Sequence, residues 1–175
     1  MANFENLSIR PVEKSDLPAL REIARSTFAD TFSDQNAASD MDKYLNDSFS
    51  LEKLAAEFET PGALFFFAET AGKVIGYLKV NWGAAQTESL PGKMLEIERI
   101  YVLSDYRGKK VGKALFEKAL SIAQEKKRDG IWLGVWEKNT AALHFYRKNG
   151  FVEFGTHPFR LGDDEQTDLL MKMEI

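Results

Sequence analysis

The sequence contains no cysteine and only two histidines, His144 and His157. The lack of cysteine excludes disulfides, thiolate metal ligands and a cysteine nucleophile, and it fits a reducing cytoplasm. Two histidines are too few for a histidine-rich metal site. We therefore interpret both as structural residues and expect no bound metal.

Long apolar runs and an excess of positive charge are also missing. The longest apolar run is Ala63 to Ala68, whereas a membrane helix needs roughly 20 residues, and the N-terminus has no apolar signal core. A net charge of −4 and a pI near 5.3 argue against a nucleic-acid binder. With 175 residues, 44% of them hydrophobic, and no repeat or linker, residues 1–175 are expected to form one cytoplasmic domain that binds neither membrane nor nucleic acid.

The order of helical and strand patterns predicts an α/β layer fold. Apolar residues at helical spacing predict three helices after a first strand, with Ser15 and Ser50 as caps of the first and third. A hairpin follows, turning at residues 70–72. The order β-α-α-α-β-β-β-α-β-α-β-β then implies a mixed sheet with helices packed on it.

A glycine turn at residues 107–113 follows the strand ending at Leu103 and opens a helix. Consecutive backbone N–H groups and a helix N-terminus together form a general phosphate site. A Walker A loop does not fit, because Gly108 and Gly112 enclose one residue too few and Ala114 replaces the hydroxyl residue. The dinucleotide pattern G-x-G-x-x-G is absent too, and a plain glycine turn with solvated lysines remains the alternative.

Two motifs resemble those of the GCN5-related N-acetyltransferase (GNAT) family. The turn R-G-K-K-V-G resembles its coenzyme A loop, [RQ]-x-x-G-x-[GA], although Lys110 stands where the family usually has its middle glycine. This departure is tolerable if Lys110 keeps an ordinary helical backbone. Residues 139–151 match N-x-x-A-x-x-F-Y-x-x-x-G-F at every fixed position. The resemblance spans Leu7 to Glu174 and implies a mostly antiparallel mixed sheet, splayed at the fourth and fifth strands, with helices on both faces.

The same resemblance implies that acetyl-CoA, as co-substrate, lies between the splayed strands. Backbone groups of Ile100 and Val102 would hold the pantetheine arm and polarise the thioester, and amides of the glycine turn would hold the pyrophosphate. Plain strand core is the alternative for Ile100 and Val102, and a solvated charge is the alternative for Lys148. The predicted cofactor-binding residues are Ile100, Tyr101, Val102, Arg107, Gly108, Lys109, Lys110, Val111, Gly112, Lys113, Asn139, Tyr146 and Lys148.

Catalysis of amine acetylation requires a group that accepts the amine proton, because a free amine with a pKa near 10.4 is almost fully protonated at pH 7. Glu96 and Glu98 lie on one side of a strand by their spacing of two. The resemblance places the base near Glu96, with Glu98 next, whereas both could instead be rim charges or bind substrate. It also makes Tyr146 the acid that protonates the leaving thiolate, with core packing as the alternative. No serine has an adjacent histidine, which favours direct transfer over an acyl-enzyme.

The acceptor is predicted from local charge and from a second resemblance. Residues 30–59 contain eight acids and two lysines, a balance of −6, and such charge attracts polycations, although an ordinary acidic surface is equally consistent. The segment G-A-A-Q-T-E (residues 83–88) and its surroundings look like PaiA-type spermidine/spermine N-acetyltransferases. The candidate acceptor-site residues are Asp30, Asp34, Gln86 and Glu88.

The sequence therefore predicts an acetyl-CoA-dependent N-acetyltransferase acting on spermidine or spermine. The alternatives are acetylation of a protein N-terminus or another small amine, and a non-catalytic acyl-CoA-binding regulatory module. The family resemblance also allows a homodimer, for which no segment of the chain identifies an interface.

Overall fold

Seven strands form one mixed sheet in the computed structural model, which describes residues 6–32 and 37–175. Asp34 lies outside the described residues. The elements are β1 (Ser8–Pro11), α1 (Leu17–Phe32), α2 (Ala38–Ser48), α3 (Leu51–Glu59), β2 (Ala63–Thr70), β3 (Lys73–Trp82), β4 (Met94–Val102), α4 (Val111–Glu125), β5 (Gly130–Trp136), α5 (Thr140–Lys148), β6 (Val152–Leu161) and β7 (Asp164–Glu174). Their order is the predicted one.

The sheet opens between β4 and β5, as predicted. The strand order is β1-β2-β3-β4-β5-β7-β6, and β4 with β5 is the parallel pair. Their pairing covers only Met94–Ile97 against Gly130–Leu133, although β4 continues to Val102 and β5 to Trp136. Past Ile97 the two strands separate, which leaves backbone groups on that edge of β4 without a partner from β5.

A β-bulge in β4 sets which side chains face this opening. Lys79 pairs with Arg99, but the next residue of β3, Val80, pairs with Ile97, so Glu98 is the extra residue. The side chains of Glu96 and Glu98 both reach Asn81 on β3. The bulge thus places two carboxylates together where the sheet begins to split.

Helices cover both faces of the sheet and form two apolar cores. On one face α4 buries Val111, Leu115, Ala119 and Ile122, the stripe expected from their spacing, and α5 joins this core through Leu143 and Tyr146. On the other face α1, α2 and α3 form a second core, which contains Leu20, Phe28, Leu45 and Leu54. None of the helices in the described ranges is long and apolar enough to cross a membrane.

Local hydrogen bonds confirm most of the predicted helix ends. The Ser50 hydroxyl accepts from the Lys53 N–H at 3.2 Å, and Asn139 caps α5 by accepting from the Ala142 N–H at 3.2 Å. The expected cap at Ser15 is wrong. The Asp16 carboxylate accepts from the Glu13 N–H at 2.8 Å. Glu13 is therefore the N-cap, two residues before Ser15, and Ser15 lies inside a short 3-10 helix.

Candidate active site

A cavity of about 750 Å³ occupies the opening between β4 and β5. One part, which we call the glycine side, is lined by Ile100, Val102, Gly112, Asn139 and Tyr146. The other part, which we call the acidic side, is lined by Asp30, Glu88, Glu96, Glu98 and Asp168. The cavity therefore joins the predicted coenzyme site to a second region that is rich in carboxylates.

The glycine side is formed where the turn after β4 enters α4. A Cβ atom built at Gly112 would meet no atom within 4 Å, so this backbone borders open space and a ligand can approach it closely. A smaller apolar pocket of about 120 Å³ adjoins the same wall, lined by Ile100, Val102, Gly112, Ala142, Phe145 and Tyr146. Open backbone at a helix N-terminus, beside an apolar channel, suits a phosphate group with an uncharged arm.

Lys110 does not have the helical backbone on which its fit to the glycine turn was predicted to depend. It is the N-cap residue of α4, with φ 65° and ψ 14°, which is the left-handed conformation. This is the conformation that a glycine adopts at no steric cost, and it costs a side-chain-bearing residue roughly 1–2 kcal/mol. The turn therefore keeps the backbone shape of a glycine at this position although the residue is lysine.

The structure brings together some of the predicted coenzyme contacts and separates others from the cavity. Arg107 turns back along β4, where its Nε donates to the Val102 carbonyl at 3.1 Å. Val111, the first residue of α4, is buried in the core. Ile100, Tyr101, Val102, Arg107, Gly112, Asn139 and Tyr146 line the cavity, whereas Gly108, Lys109, Lys110, Lys113 and Lys148 are exposed residues outside its lining.

Tyr146 lies between the glycine side of the cavity and the apolar core. It is 6% exposed and packs edge-on against Phe145 and Phe151, at 5.5 and 5.4 Å between ring centres. Burial, with a further contribution from the nearby Tyr101, raises the pKa of the Tyr146 hydroxyl above its ordinary value. A buried tyrosine of this kind stays protonated, and Tyr146 lines the cavity.

Glu96 is a buried carboxylate that accepts hydrogen bonds from two elements. Its Oε1 accepts from Asn81 Nδ2 at 3.0 Å and from the Thr87 N–H at 2.8 Å, and its Oε2 accepts from the Thr87 hydroxyl. Burial raises the pKa of Glu96, and the hydrogen bonds from Asn81 and Thr87 only partly oppose this effect. A carboxylate with a raised pKa is a better proton acceptor near neutral pH than an ordinary one.

Glu98 has the opposite shift, although it lies only two residues away. Burial alone would raise its pKa, but the charges of Arg99 and Lys79 and a hydrogen bond from Asn81 lower it below the ordinary value. Lys79 Nζ contacts Glu98 Oε2, and Asn81 Nδ2 donates to the same oxygen at 2.9 Å. Glu98 is therefore a fixed negative charge, whereas Glu96 is the better proton acceptor.

The remaining predicted acceptor residues differ in how they meet the cavity. Glu88 lines it and contacts His157, with 2.6 Å between Oε1 and Nδ1. Asp30 is an exposed residue of the lining. Gln86 does not line the cavity, because its side chain accepts from Trp132 Nε1 at 2.8 Å and donates to the Gly83 carbonyl.

A model of the acetyltransferase (GNAT) family matches residues 17–151. The chain belongs to this family. An uncharacterized N-acetyltransferase of Lactobacillus delbrueckii subsp. lactis is 43% identical over 169 residues, which cover 97% of this chain and 98% of that protein. A spermidine N(1)-acetyltransferase of Thermoplasma acidophilum is 26% identical over 171 residues, 95% of this chain and 96% of the other. The crystal structure of a PaiA N-acetyltransferase from Thermoplasma acidophilum, in complex with coenzyme A, superposes with a TM-score of 0.80 at 26% identity and covers 97% of this chain and 99% of that one.

The chain is therefore an acetyl-CoA-dependent N-acetyltransferase, and its cavity holds groups suited to both proton transfers of that reaction. Glu96 can accept a proton at one wall, and Tyr146 can donate one at another. Neither proton transfer requires a covalent acyl intermediate on the protein. Across the described residues no group of three histidine, aspartate or glutamate side chains could hold a metal ion.

Three features of this N-acetyltransferase were missed by the sequence analysis. Asp168 lines the cavity from β7, and burial raises its pKa, partly opposed by the charge of His157. His157, interpreted as structural, is half exposed at its side chain and lines the cavity. Thr87 was quoted inside G-A-A-Q-T-E but given no role. The sequence signal for Asp168 is that an acidic residue stands in the strand T-D-L-L-M, whose apolar residues pack in the core.

Aromatic rings cover the end of the acidic side that lies under α1 and α2. Phe28 packs on Tyr44 at 4.6 Å and on Phe32 at 4.4 Å between ring centres, and Phe32 reaches Trp136 at 5.2 Å. Phe159 closes the group at 5.8 Å from Tyr44. These five rings line the same cavity as the carboxylates, so the site combines apolar walls with negative charge.

Proposed function

We propose that this enzyme transfers the acetyl group of acetyl-CoA directly to a primary amine of a polyamine, spermidine or spermine. The observation that carries the proposal is the composition of the acidic side, where five carboxylates and five aromatic rings line one cavity. A polyamine is a chain of methylene groups interrupted by ammonium groups. Aromatic walls suit the methylene groups and attract cations, while spaced carboxylates pair with the charges.

The positive residues of the cavity do not cancel this negative charge. Arg99 is committed to Glu57, with two hydrogen bonds of 3.1 and 2.7 Å. Arg107 and Lys138 line the cavity from the segments that follow β4 and β5. Two of the five carboxylates have partners of their own, Glu98 with Lys79 and Glu88 with His157. A cationic acceptor would therefore meet Asp30, Glu96 and Asp168, which form no ion pair in the described ranges.

Asp168 is the carboxylate best placed to hold a second ammonium group. It is half-buried and makes no hydrogen bond or ion pair within the part of the chain that the structure describes. A Cβ atom at Gly134 on β5 would lie 3.7 Å from Asp168 Oδ2, and the missing side chain leaves that carboxylate open to the cavity. A buried, unpaired carboxylate is unfavourable on its own, and a bound ammonium would relieve that cost.

The glycine side fits acetyl-CoA, which supplies the activated acetyl group as its thioester. The open backbone at Gly112 and the start of α4 would hold the pyrophosphate. The unpaired edge of β4 near Ile100 and Val102 would hold the pantetheine arm. Amide N–H groups fixed along this edge are the type of donor that stabilises charge developing on a carbonyl oxygen.

The proton transfers follow from the pKa shifts of two side chains. Glu96, with a raised pKa, accepts the proton of the substrate ammonium, directly or through water. Glu98, with a lowered pKa, stays ionised and favours the positive substrate near Glu96. Tyr146 is protonated at neutral pH, since burial raises its pKa, and it donates its proton to the departing thiolate as the charge develops there; the tyrosinate then recovers a proton from solvent.

The proposal is tested by measuring CoA thiol release with spermidine, spermine, a monoamine and a short peptide as acceptors. A thiol reagent detects only CoA, because the enzyme has no cysteine. We expect kcat/KM for the two polyamines to exceed that for the monoamine and the peptide. Higher activity on the peptide would instead support N-terminal acetylation, and equal activity on the monoamine would support another small amine.

A variant at Asp168 sharpens this test. We expect Asp168→Asn to raise KM for spermidine about ten-fold, from the loss of one charge-assisted contact, and to leave KM for acetyl-CoA and for the monoamine unchanged. Asp163→Asn, in the exposed turn between β6 and β7, removes the same charge outside the cavity and is the matched control. An equal rise in both variants would contradict a specific role for Asp168.

A further inference from the structure

Three successive residues of the loop between β3 and β4 bind three different strands. Gln86 accepts from Trp132 Nε1 on β5 at 2.8 Å. Thr87 donates twice to Glu96 on β4, and Glu88 contacts His157 on β6. We call residues 86–88 the Q-T-E strap, because it crosses the open part of the sheet and is tied at each residue.

We propose that Thr87 is a positioning residue that holds the Glu96 carboxylate ready to accept the substrate proton, and that Gln86 and Glu88 hold Thr87 in place. This inference rests on the proposed role of Glu96 as the base. It assigns a role to the part of G-A-A-Q-T-E that the acceptor prediction left without one.

The geometry at Glu96 supports positioning by Thr87. The Thr87 N–H donates to one carboxylate oxygen at 2.8 Å and its hydroxyl donates to the other, so both oxygens are bound by a single residue. Two donors on the two oxygens fix the rotation of the carboxyl group as well as its place. Asn81, on β3, adds a third donor at 3.0 Å, to the same oxygen that accepts from the Thr87 N–H.

Asn81 cannot replace Thr87, because its amide is shared. The same Nδ2 donates to Glu96 at 3.0 Å and to Glu98 at 2.9 Å, and the Asn81 side-chain carbonyl is buried without a hydrogen-bond partner in the described ranges. Without the Thr87 hydroxyl, Glu96 Oε2 would lose the hydrogen bond that this hydroxyl donates. The carboxylate would then be held at Oε1 alone, and its ionised form would be less favoured.

Other charged groups nearby act on Glu96 in known directions. On the same strand Glu98 raises the Glu96 pKa through its negative charge. The cations beside Glu98 are Lys79 on β3 and Arg99 on β4, and Glu57 on α3 pairs with both of them. The remaining titratable groups of the acidic side are Glu88 on the strap, His157 on β6, Asp168 on β7, Asp30 on α1 and Tyr44 on α2.

The test compares Thr87→Val with Thr87→Ser in steady-state assays across pH, using whichever amine of the acceptor panel is turned over. Thr87→Val keeps the N–H donor and removes the hydroxyl, whereas Thr87→Ser keeps both. We expect Thr87→Val to lower kcat about ten-fold and to move the acid limb of the kcat/KM profile upward by about one pH unit. We expect Thr87→Ser to restore both, and KM for acetyl-CoA to stay constant.

Thr70→Val is the matched control. Thr70 ends β2 at the hairpin turn, whereas Asn81 lies at the opposite end of the same hairpin. Thr70→Val should keep the wild-type pH profile of kcat/KM. A melting curve for each variant checks that the fold is intact.

The outcomes separate this inference from the role of Glu96. If Glu96→Gln abolishes turnover and the acid limb of Thr87→Val stays at the wild-type pH, Glu96 is the base and the positioning role of Thr87 is overturned. If Glu96→Gln retains full turnover, the base has been misassigned, and the inference about Thr87 fails with it. A shifted limb in Thr87→Val, restored in Thr87→Ser, supports both.

Discussion

At the scale of single residues, neighbours decide what each carboxylate in the cavity can do. Glu96 and Glu98 are both largely buried, and burial alone would raise the pKa of each. Glu96 has only neutral donors around it, so its pKa stays raised, whereas the cations at Lys79 and Arg99 lower that of Glu98. Two identical side chains on one strand thus have pKa values shifted in opposite directions, which is the pattern expected if Glu96 is the proposed proton acceptor and Glu98 a fixed charge.

Tyr146 gives the first residue-scale prediction. Removing its hydroxyl in Tyr146→Phe should lower kcat by about 10²-fold, which is the usual size of a general-acid effect, because no proton donor would remain for the leaving thiolate. Coenzyme A affinity, measured by calorimetry, should change less than about two-fold, since the ring and its packing on Phe145 and Phe151 stay. A large loss of coenzyme A binding would show that the hydroxyl binds the coenzyme instead.

Lys110 gives a second prediction, on stability. Lys110→Gly should raise the free energy of unfolding by up to about 1 kcal/mol, because glycine adopts the left-handed backbone without strain. Lys109→Gly is the matched control, because it removes the same charge from a residue whose φ is not positive, and it should lower stability. Denaturant unfolding without coenzyme A measures both, and equal changes in the two variants would contradict backbone strain at Lys110.

At the scale of elements, a buried ion-pair network ties α3 to the bulged strand β4. Glu57 on α3 accepts from both terminal nitrogens, Nη1 and Nη2, of Arg99 and contacts Lys79 at 3.3 Å. Lys79 in turn contacts Glu98. The helix that covers one face of the sheet therefore also holds the cations that keep Glu98 ionised.

Breaking this network from the helix side should destabilise the enzyme strongly. Glu57→Gln leaves two buried cations short of one negative partner and should cost about 3 kcal/mol. Glu59→Gln is the control, because its pair with Lys14 is exposed at 3.3 Å and should cost less than about 1 kcal/mol. Denaturant melts of both variants measure the difference, and similar costs would show that the network does not support the fold.

The elements were largely predictable from sequence, but their fine registers were not. Apolar spacing was enough for the stripe of α4, and side-chain chemistry was enough for the caps at Ser50 and Asn139. The bulge at Glu98 was not predictable, because it depends on how β3 pairs with β4. Asp168 was missed for the same reason: only the pairing of β7 with β5 and β6 carries it to the cavity.

At the scale of the whole molecule, a net charge of −4 conceals two regions of opposite sign. The turn at residues 107–113 carries four cations, Arg107, Lys109, Lys110 and Lys113. Arg107 lines the cavity and the three lysines are exposed outside its lining, whereas the carboxylates of the acidic side lie within it. Such a division favours an anionic coenzyme at one end and a cationic acceptor at the other, since each end attracts one partner and repels the other.

The pH dependence of ligand binding tests this division for the whole molecule. Glu96 and Asp168 have raised pKa values, so both take up protons as the pH falls from neutral toward their ordinary range, while spermidine stays fully charged. In the free protein these two groups favour the folded state at low pH, and their contribution is lost as pH rises through the raised values. Binding has the opposite sign, because the acceptor needs them ionised. We therefore expect the rise in melting temperature caused by spermidine to shrink as the pH falls from 7 to 5.

The double variant Glu96→Gln/Asp168→Asn should weaken this dependence, because the two carboxylates with raised pKa values are gone. Asp163→Asn removes an exposed carboxylate outside the cavity and should keep the wild-type trend. Glu98 does not contribute a change in this window, since its lowered pKa keeps it ionised. A spermidine effect that stays constant with pH in the wild type would mean that the acceptor is held by carboxylates of ordinary or lowered pKa, and that Glu96 and Asp168 do not bind it.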